Sequence, residues 1–422
     1  MTLELPDDFK ITEDIQKATD LLDWPDKHVF ISGKAGTGKS TFLTYIRKKF
    51  EKRNLAVVAP TGVAALNVGG QTIHSFFKIK PGMIDLNELG ARRKRRMYEK
   101  LHVLIIDEIS MVRADLLDSI DIFLKNNGPK KGEPFGGVQL CLIGDIGQLP
   151  PIVTRDDQDV FYRLYKGRDF FHANALKNID IETVKFKEIF RQTDENFIKL
   201  LNRVRNGEAN RELLNELNKC HKTPAENVDY VTLTTINRKA DAINQAKLDA
   251  LKGRERTYSA KIKGENRAFN HRTPAPLELT LKIGAFVMIL KNDSRGRWVN
   301  GTTGTITHMS EENIFVKKSD GQEVAIGREK WEHVQYSFDE VEQKIKNKVV
   351  GSFEQFPINL AWAITVHKAQ GKTLDHLMID ASGGFFEKGQ LYVALSRCRK
   401  LENLYFKEPL KMSDLHIVQK NY

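Results

Sequence analysis

Cysteine is scarce: the 422 residues contain three, Cys141, Cys220 and Cys398, with no paired spacing. That argues against a disulfide framework and a zinc site, and fits a reducing compartment. None of the 11 histidines belongs to an HExxH pattern or a Cys/His cluster, so no metalloprotease signature is present. No segment approaches the ~18 apolar residues that a membrane helix requires. The opening MTLELPDDFK is acidic and lacks an apolar run, so neither a signal nor a transit peptide is expected. Internal repeats and low-complexity tracts are missing too. These absences give the expectation of a soluble intracellular protein with no membrane partner.

Acidic residues are outnumbered, 55 against 66 Lys and Arg, for a net charge of +11. A basic excess favours a polyanionic partner, nucleic acid ahead of a membrane surface, although many basic proteins bind neither. The hydrophobic fraction of 41% and charged fraction of 29% are those of a soluble globular chain. Its length suits two or three domains with sizeable cores.

What is present is ordered. VFIS (29–32), LAVVAP (55–60), HVLIID (102–107) and VQLCLIG (138–144) are continuous apolar runs, as expected of strands buried on both faces of a parallel sheet. Helical patterns such as TFLTYIRKKF and ADLLDSIDIFLKNNG lie between them, which makes βαβ units over residues 1 to about 180. Residues 65–100, with Gly, Pro and the basic run RRKRR (92–96), break the rhythm as a small insertion. A second α/β region starts near 181, stops near 253 and resumes near 354. Between these, GAFVMIL, GTTGTIT, NIFVKK and HVQYSF are short β segments separated by turn residues. The second α/β domain is therefore split by a β insertion.

GKAGTGKS (33–40) fits G-x-x-x-x-G-K-[ST] between a strand and a helix, the context a phosphate loop requires. Its glycines let backbone N–H groups curl round phosphates at a helix N-terminus. Lys39 is the residue to reach the β- and γ-phosphates of ATP, and the Ser40 hydroxyl suits Mg²⁺. Gly33, Gly36, Thr37, Gly38, Lys39, Ser40 and Thr41 make up the expected nucleotide set. IIDE (105–108) ends a buried strand with two carboxylates. Asp107 suits Mg²⁺ and Glu108 suits a base that orients water. In GDIGQLPP (144–151), Gln148 on a stiff loop is a candidate γ-phosphate sensor, though alone this segment is only a strand-to-loop turn.

Taken in order, GKAGTGKS, APTGVAALNVGGQTIHSF, IIDEISM, GDIGQLPP, FRQ, VHKAQGKT and YVALSRC resemble the motifs of superfamily-one helicases of the RecD-like branch. They are most similar to the Pif-type (petite integration frequency) DNA helicases, over essentially the whole chain. SMVRADLLDSIDIFLKNNGPKKGEPFGGVQL looks like that family's signature, and 281–306 like its SH3-like domain. The long N-terminal extensions of eukaryotic members have no counterpart, which suggests a compact bacterial or viral form.

The resemblance implies an α/β fold of two RecA-like P-loop domains with parallel sheets, 1–64 with 101–180 and 181–253 with 354–422. It adds the insertion 65–100 to the first and an SH3-like β-barrel insertion, 254–353, to the second. It implies an ATP- and Mg²⁺-dependent helicase, a monomer in solution, that moves 5′→3′ on single-stranded DNA and acts at single/double-strand junctions, RNA–DNA hybrids and G-quadruplexes. Arg191 of FRQ and Arg397 of YVALSRC become arginine fingers, in keeping with a planar, permanently charged guanidinium. Gln16 becomes the adenine reader, or else an exposed helix residue, and Gly371 lines the ATP cleft. Thr61, Gly62, His74, Asn237, Thr365 and His367 match phosphate-backbone contacts, each with a cap or turn role as its alternative. Phe76 and Phe77 either stack bases or fill the core, and RRKRR touches duplex or is a solvated face. Two other classes remain open: a nucleotide-gated DNA-binding module that does not unwind, and a small-molecule phosphotransferase.

Overall fold

The structure is a computed structural model. It describes all residues outside 1–4, 6–8, 80–95, 191, 193, 227, 265–272, 294, 296, 299, 340–343 and 416–422, with backbone only at 63, 66, 67, 155, 156 and 333–348. Two compact units result: 1–190 with 332–351, and 191–331 with 352–421.

In the first unit, β1 (His28–Gly33), β2 (Leu55–Ala59), β3 (Gln71–Thr72), β4 (Val103–Ile106), β5 (Gln139–Gly144) and β6 (Ile181–Phe186) form one parallel sheet, ordered β3-β2-β4-β5-β1-β6. Four of these strands were legible as apolar runs. The edge strand β6 was not, because its IETVKF alternates exposed and buried positions and carries charge. The pleat sends successive side chains to opposite faces. Val103 and Ile105 thus join Ile15, Leu22, Phe42, Leu43 and Ile46 in one core layer. Leu104 and Ile106 join Phe77, Leu117, Ile120 and Phe123 in the other. Helices cover both faces, which is why these strands show no polar alternation.

Phe76 and Phe77 belong to that second layer. They are fully buried, packed edge-on to one another and against Tyr98 and Phe123, so their core alternative holds. Residues 92–95 of RRKRR lie outside the described residues; Arg96 opens the short helix Arg96–Glu99 and is exposed.

The helix Ala114–Asn127 carries three buried aspartates at three-residue spacing, Asp115, Asp118 and Asp121. Each is satisfied. Asp118 accepts hydrogen bonds from Tyr165 Oη (2.9 Å), Asn174 Nδ2 (3.2 Å) and the Ala175 amide (2.8 Å). Asp121 accepts from the Phe135 amide (2.7 Å) and Lys125 Nζ (2.6 Å). Asp115 pairs with Arg113, which also reaches Asp157 at 3.2 Å and lies over the Phe161 ring. The acids tie three later segments to one helix, and each would be costly to bury without those partners.

The second unit contains a second parallel sheet. Between β7 (Val231–Thr234) and its parallel partners run β8 (Arg256–Ser259), β9 (Lys261–Gly264), β10 (Glu278–Leu281), β11 (Phe286–Ile289), β12 (Thr303–Met309), β13 (Asn313–Lys318), β14 (Glu323–Gly327), β15 (Glu329–Asp339), β16 (Lys344–Gln355) and β17 (Ile358–Leu360). Then β18 (Ala363–Thr365), β19 (Leu377–Asp380) and β20 (Leu404–Phe406) complete the order β18-β7-β19-β20. The intervening strands form a five-stranded antiparallel sheet, β14-β13-β12-β11-β17, the ribbon β8–β10 and the three-stranded set β15-β16-β9, of which residues 332–351 of β15 and β16 belong to the first unit. Ile289, Trp298, Ile306, Val316, Ile326 and Phe356 lie in the core shared by the five-stranded sheet and the ribbon.

In LYVALSRCR (391–399), Leu391, Ala394, Leu395 and Cys398 fall at i, i+3, i+4, i+7, which predicts a helix with these in the core and Gln390, Val393 and Arg397 on another face. The helix is shorter, Gln390–Leu395, and every residue in it is buried. Arg397 follows the helix end and is itself only 1% exposed. Arg399 is on the surface, 3.6 Å from Asp375.

Removing the Asp118 carboxylate strands a phenol and a backbone amide. Asp118→Ala should destabilise the first unit by about 3 kcal/mol, read from its urea midpoint. A shift under ~1 kcal/mol would contradict the network's importance.

Candidate nucleotide and nucleic-acid site

Both β1 and β4 pair with β5. This brings the carboxyl ends of the three strands together, the edge where open α/β sheets place ligands. From β1 the chain enters the phosphate loop. Gly36 (φ 82°) and Gly38 (φ 78°) adopt left-handed conformations that a side chain would resist. Thr37 is buried, and its hydroxyl donates to Lys34 O at 2.9 Å. Lys39 opens the helix Lys39–Lys49, and its Nζ folds back over the loop to Gly33 O (2.6 Å) and Lys34 O (2.9 Å). Ser40 is exposed beside it, and Thr41 is half-buried.

Asp107 leaves β4 with its amide donating to Val58 O at 2.9 Å. Its carboxyl is buried, and desolvation with the Glu108 charge pushes its pKa up to about 7, against a pull downward from Lys39. Glu108 has φ 50° and ψ 44°, a left-handed backbone in a non-glycine residue. Such strain gathers at functional strand ends. Gly144 ends β5 so close to Ile109 that a Cβ there would sit 2.8 Å from Ile109 Cγ2. Past it, Asp145 accepts from the Gly147 amide (3.0 Å) and its carbonyl from the Gln148 amide (3.0 Å), which leaves the Gln148 side chain buried.

This donor set fits a nucleotide–cation pair. A buried carboxylate with a raised pKa, next to a second carboxylate and an exposed hydroxyl, gains most from a divalent cation. No group of three or more His, Cys, Asp or Glu among the described residues is arranged to hold a metal, and Mg²⁺ commonly shares its ligands with substrate phosphates.

The remaining expected residues are distributed as follows. Gln16 lies on the helix Glu13–Asp23, where its Nε2 donates to Asp20 Oδ1 at 2.6 Å, above a shallow depression that also involves Lys17 and Trp24. Arg191 lies outside the described residues. The residue before it, Phe190, donates its amide to Gly36 O at 2.8 Å. Thr61 follows β2 and caps the helix Gly62–Asn67, accepting from the Ala64 amide at 3.2 Å. His74 follows β3 and is half-buried; desolvation, then Arg113, lowers its pKa, which keeps it neutral. In the second unit, Asn237 is exposed just beyond β7, and Thr365 and His367 stand at the end of β18. Thr365 Oγ1 is buried with no hydrogen-bond partner among the described residues. Gly371 is exposed with φ 78°. Arg397 donates from Nε to Val393 O (2.9 Å), from Nη1 to Lys372 O (3.2 Å) and from Nη2 to Ser396 Oγ (2.8 Å).

Two residues were not singled out from the sequence. Thr235, just past β7, has a second buried hydroxyl without a partner; the doubled threonine before Asn237 was its only signal. Lys372 is the other, hidden as one lysine among many. Among the described residues no helix is long and apolar enough to cross a membrane.

The chain is similar to proteins of one family. Residues 10–214 match the PIF1-like helicase family. The ATP-dependent DNA helicase Pif1 of Bdellovibrio bacteriovorus is 32% identical over 388 residues, 90% of this chain and 84% of that protein. A Xenopus laevis relative is 35% identical over 393 residues, and the match spans 90% of this chain but 58% of that one. Among solved structures, Bacteroides sp. Pif1 in complex with ADP-AlF4 matches with TM-score 0.90 and 37% identity, over 97% of this chain and 94% of that one. Bacteroides Pif1 bound to single-stranded DNA matches with TM-score 0.68 and 38% identity, over 96% and 94%.

The Asp107 titration has a definite sign. Its folded pKa of about 7 exceeds the unfolded value, so between the two the folded chain holds the extra proton and loses stability as pH rises. Asp107→Asn should raise the Tm of the metal-free protein at pH 8 and abolish turnover. The apparent Mg²⁺ affinity of the wild type should fall as pH drops through 7, because the cation displaces a proton. A pH-independent affinity from pH 6 to 8, by calorimetry, would contradict this. By these matches the chain belongs to the PIF1-like helicases, a family of ATP-dependent DNA helicases.

Proposed function

We propose that this chain translocates 5′→3′ along single-stranded DNA and opens forked duplexes, with RNA–DNA hybrids and G-quadruplexes as further substrates. The observation that carries the reading is the raised, buried Asp107 beside Glu108 and Lys39 at the carboxyl edge of the first sheet. It is an arrangement suited to moving a phosphoryl group to water.

Lys39 leaves the loop carbonyls for the β- and γ-phosphates of ATP, and Gly33, Gly36, Thr37, Gly38, Ser40 and Thr41 shape the cradle around them. Ser40 and Asp107 would hold Mg²⁺, which when bound would supply neutralisation of charge on the phosphate oxygens. Glu108 accepts a proton from the attacking water, and Gln148 senses the γ-phosphate. Arg191 and Arg397 stabilise the charge that develops on the transferred group. Gln16 reads the adenine, and Gly371 borders the nucleotide. Thr61, Gly62 and His74 hold one stretch of DNA backbone; Asn237, Thr365 and His367 hold another. Small neutral groups suit contacts that must form and release without reading sequence. The buried, unpartnered Thr365 hydroxyl supports this, since a phosphate oxygen would satisfy it. The chain works as a monomer in solution, with RecA-like domains of 1–64 with 101–180 and of 181–253 with 354–422, and with insertions at 65–100 and 254–353.

Lys39→Ala should abolish hydrolysis. Arg397→Ala should lower turnover about 10³-fold while ATP binding persists, the magnitude typical of an arginine finger; wild-type turnover in that variant removes Arg397 from the mechanism. Polarity is decided on forked DNA with a single 5′ or 3′ tail. Displacement is expected from the 5′ tail, and displacement only from a 3′ tail contradicts the proposed direction. ATP hydrolysis on DNA without displacement from either tail favours the non-unwinding module.

A further inference from the structure

Arg397 donates to Val393 O and Ser396 Oγ within its own turn. It also donates to Lys372 O at 3.2 Å, from a different segment. The direction in which the guanidinium points therefore depends in part on where residues 372 and 373 sit. Their attachment on the Arg397 side is the Leu374 amide, which donates to Arg397 O at 2.9 Å.

On the other side they meet the β insertion. Lys372 Nζ donates to Asn300 Oδ1 at 2.8 Å, and among the described residues no carboxylate pairs with it. Burial pushes the pKa of this lysine down to about 8, so the contact is kept at an electrostatic disadvantage. The next residue makes a second, independent contact. Gly301 has φ 101°, and a Cβ there would stand 2.7 Å from Thr373 O and 3.1 Å from Thr373 N, so backbone meets backbone with no room for a side chain. The turn itself is fixed to the antiparallel sheet. The Gly301 amide donates to Ile289 O (2.9 Å), and the Asn300 amide to Asn292 Oδ1 (2.7 Å).

We propose that Lys372 is a positioning residue that links the Asn300–Gly301 turn of the β insertion to Arg397, so that a shift of that insertion is transmitted to the arginine. The inference rests on the reading of Arg397 as part of turnover. It gives the insertion a second task besides any contact with DNA: it sets the aim of Arg397 from within the second unit.

The test is steady-state ATP hydrolysis at saturating single-stranded DNA by the full chain. Asn300→Ala and Lys372→Met should each lower kcat about 5-fold or more, the low end of ordinary coupling between sites. ATP KM and DNA Kd should stay near wild type. The double variant should be no slower than the worse single, because both break one link. Asn300→Asp, which offers Lys372 a carboxylate in the same place, should retain kcat. Gly301→Ala, which forces the turn away from Thr373, should reproduce the loss. Wild-type kcat in both single variants overturns the proposal, as do losses that multiply in the double variant. A loss in Asn300→Asp equal to that in Asn300→Ala, tracking a lower Tm, also overturns it. Arg397→Ala, run in parallel, separates the two levels. If it is slow while the Asn300 and Lys372 variants are not, the linkage alone fails; if it keeps wild-type turnover, the reading of Arg397 fails first.

Discussion

Two carboxylates and one lysine share the carboxyl end of a parallel sheet, and much of the first unit serves that placement. Asp107 and Glu108 are adjacent and repel, and burial of Asp107 adds to the cost. Lys39 offsets part of it from across β5. A site that keeps such charges together without collapse needs stiff walls. β2, β4 and β5 supply them as strands packed on both faces, and Gly33 leaves room for Thr37 and Phe186, as Gly144 does for Ile109, where a side chain would intrude. The energetic tension is chemically useful: a buried carboxyl with a raised pKa beside a second, half-exposed carboxylate is an arrangement suited to a cation.

The second unit repeats the geometry with a different emphasis. Strands β7 and β18 of its parallel sheet end in threonines, and among the described residues the Thr235 and Thr365 hydroxyls are buried without partners. The carboxylate that ends β19, Asp380, is already engaged by Lys239, Lys407 and Ser382. That edge is therefore suited to anionic ligands rather than to metal. The same fold thus offers a cation-seeking edge and a phosphate-seeking edge, as a nucleotide-driven DNA motor requires.

The sequence was most readable where one local rule decides the structure. The phosphate loop needs glycines with positive φ before a lysine, and the buried strands need unbroken apolar runs; both stood out. Strand β6 was harder to read because half its side chains face solvent. The three aspartates of the helix Ala114–Asn127 resemble a solvated face in sequence, yet they are buried, since Tyr165, Asn174, Ala175 and Phe135 reach them from up to 57 residues away. LYVALSRCR shows the limit of periodicity most clearly. The pattern identified Leu391, Ala394, Leu395 and Cys398 as core, but the helix stops at Leu395 and its other face is buried as well. Nothing local indicates that Lys372, rather than any other lysine, would meet Asn300 and support Arg397. Such pairings arise from the tertiary fold.

The central claim is that ATP turnover at the first sheet is driven by DNA engagement. The direct measurement is the ATP hydrolysis rate of the purified chain with and without single-stranded DNA, at saturating ATP and Mg²⁺. The account predicts a rate that rises steeply when DNA is added. A rate indifferent to DNA would contradict it and point to a phosphotransferase that uses the same loop for a small molecule.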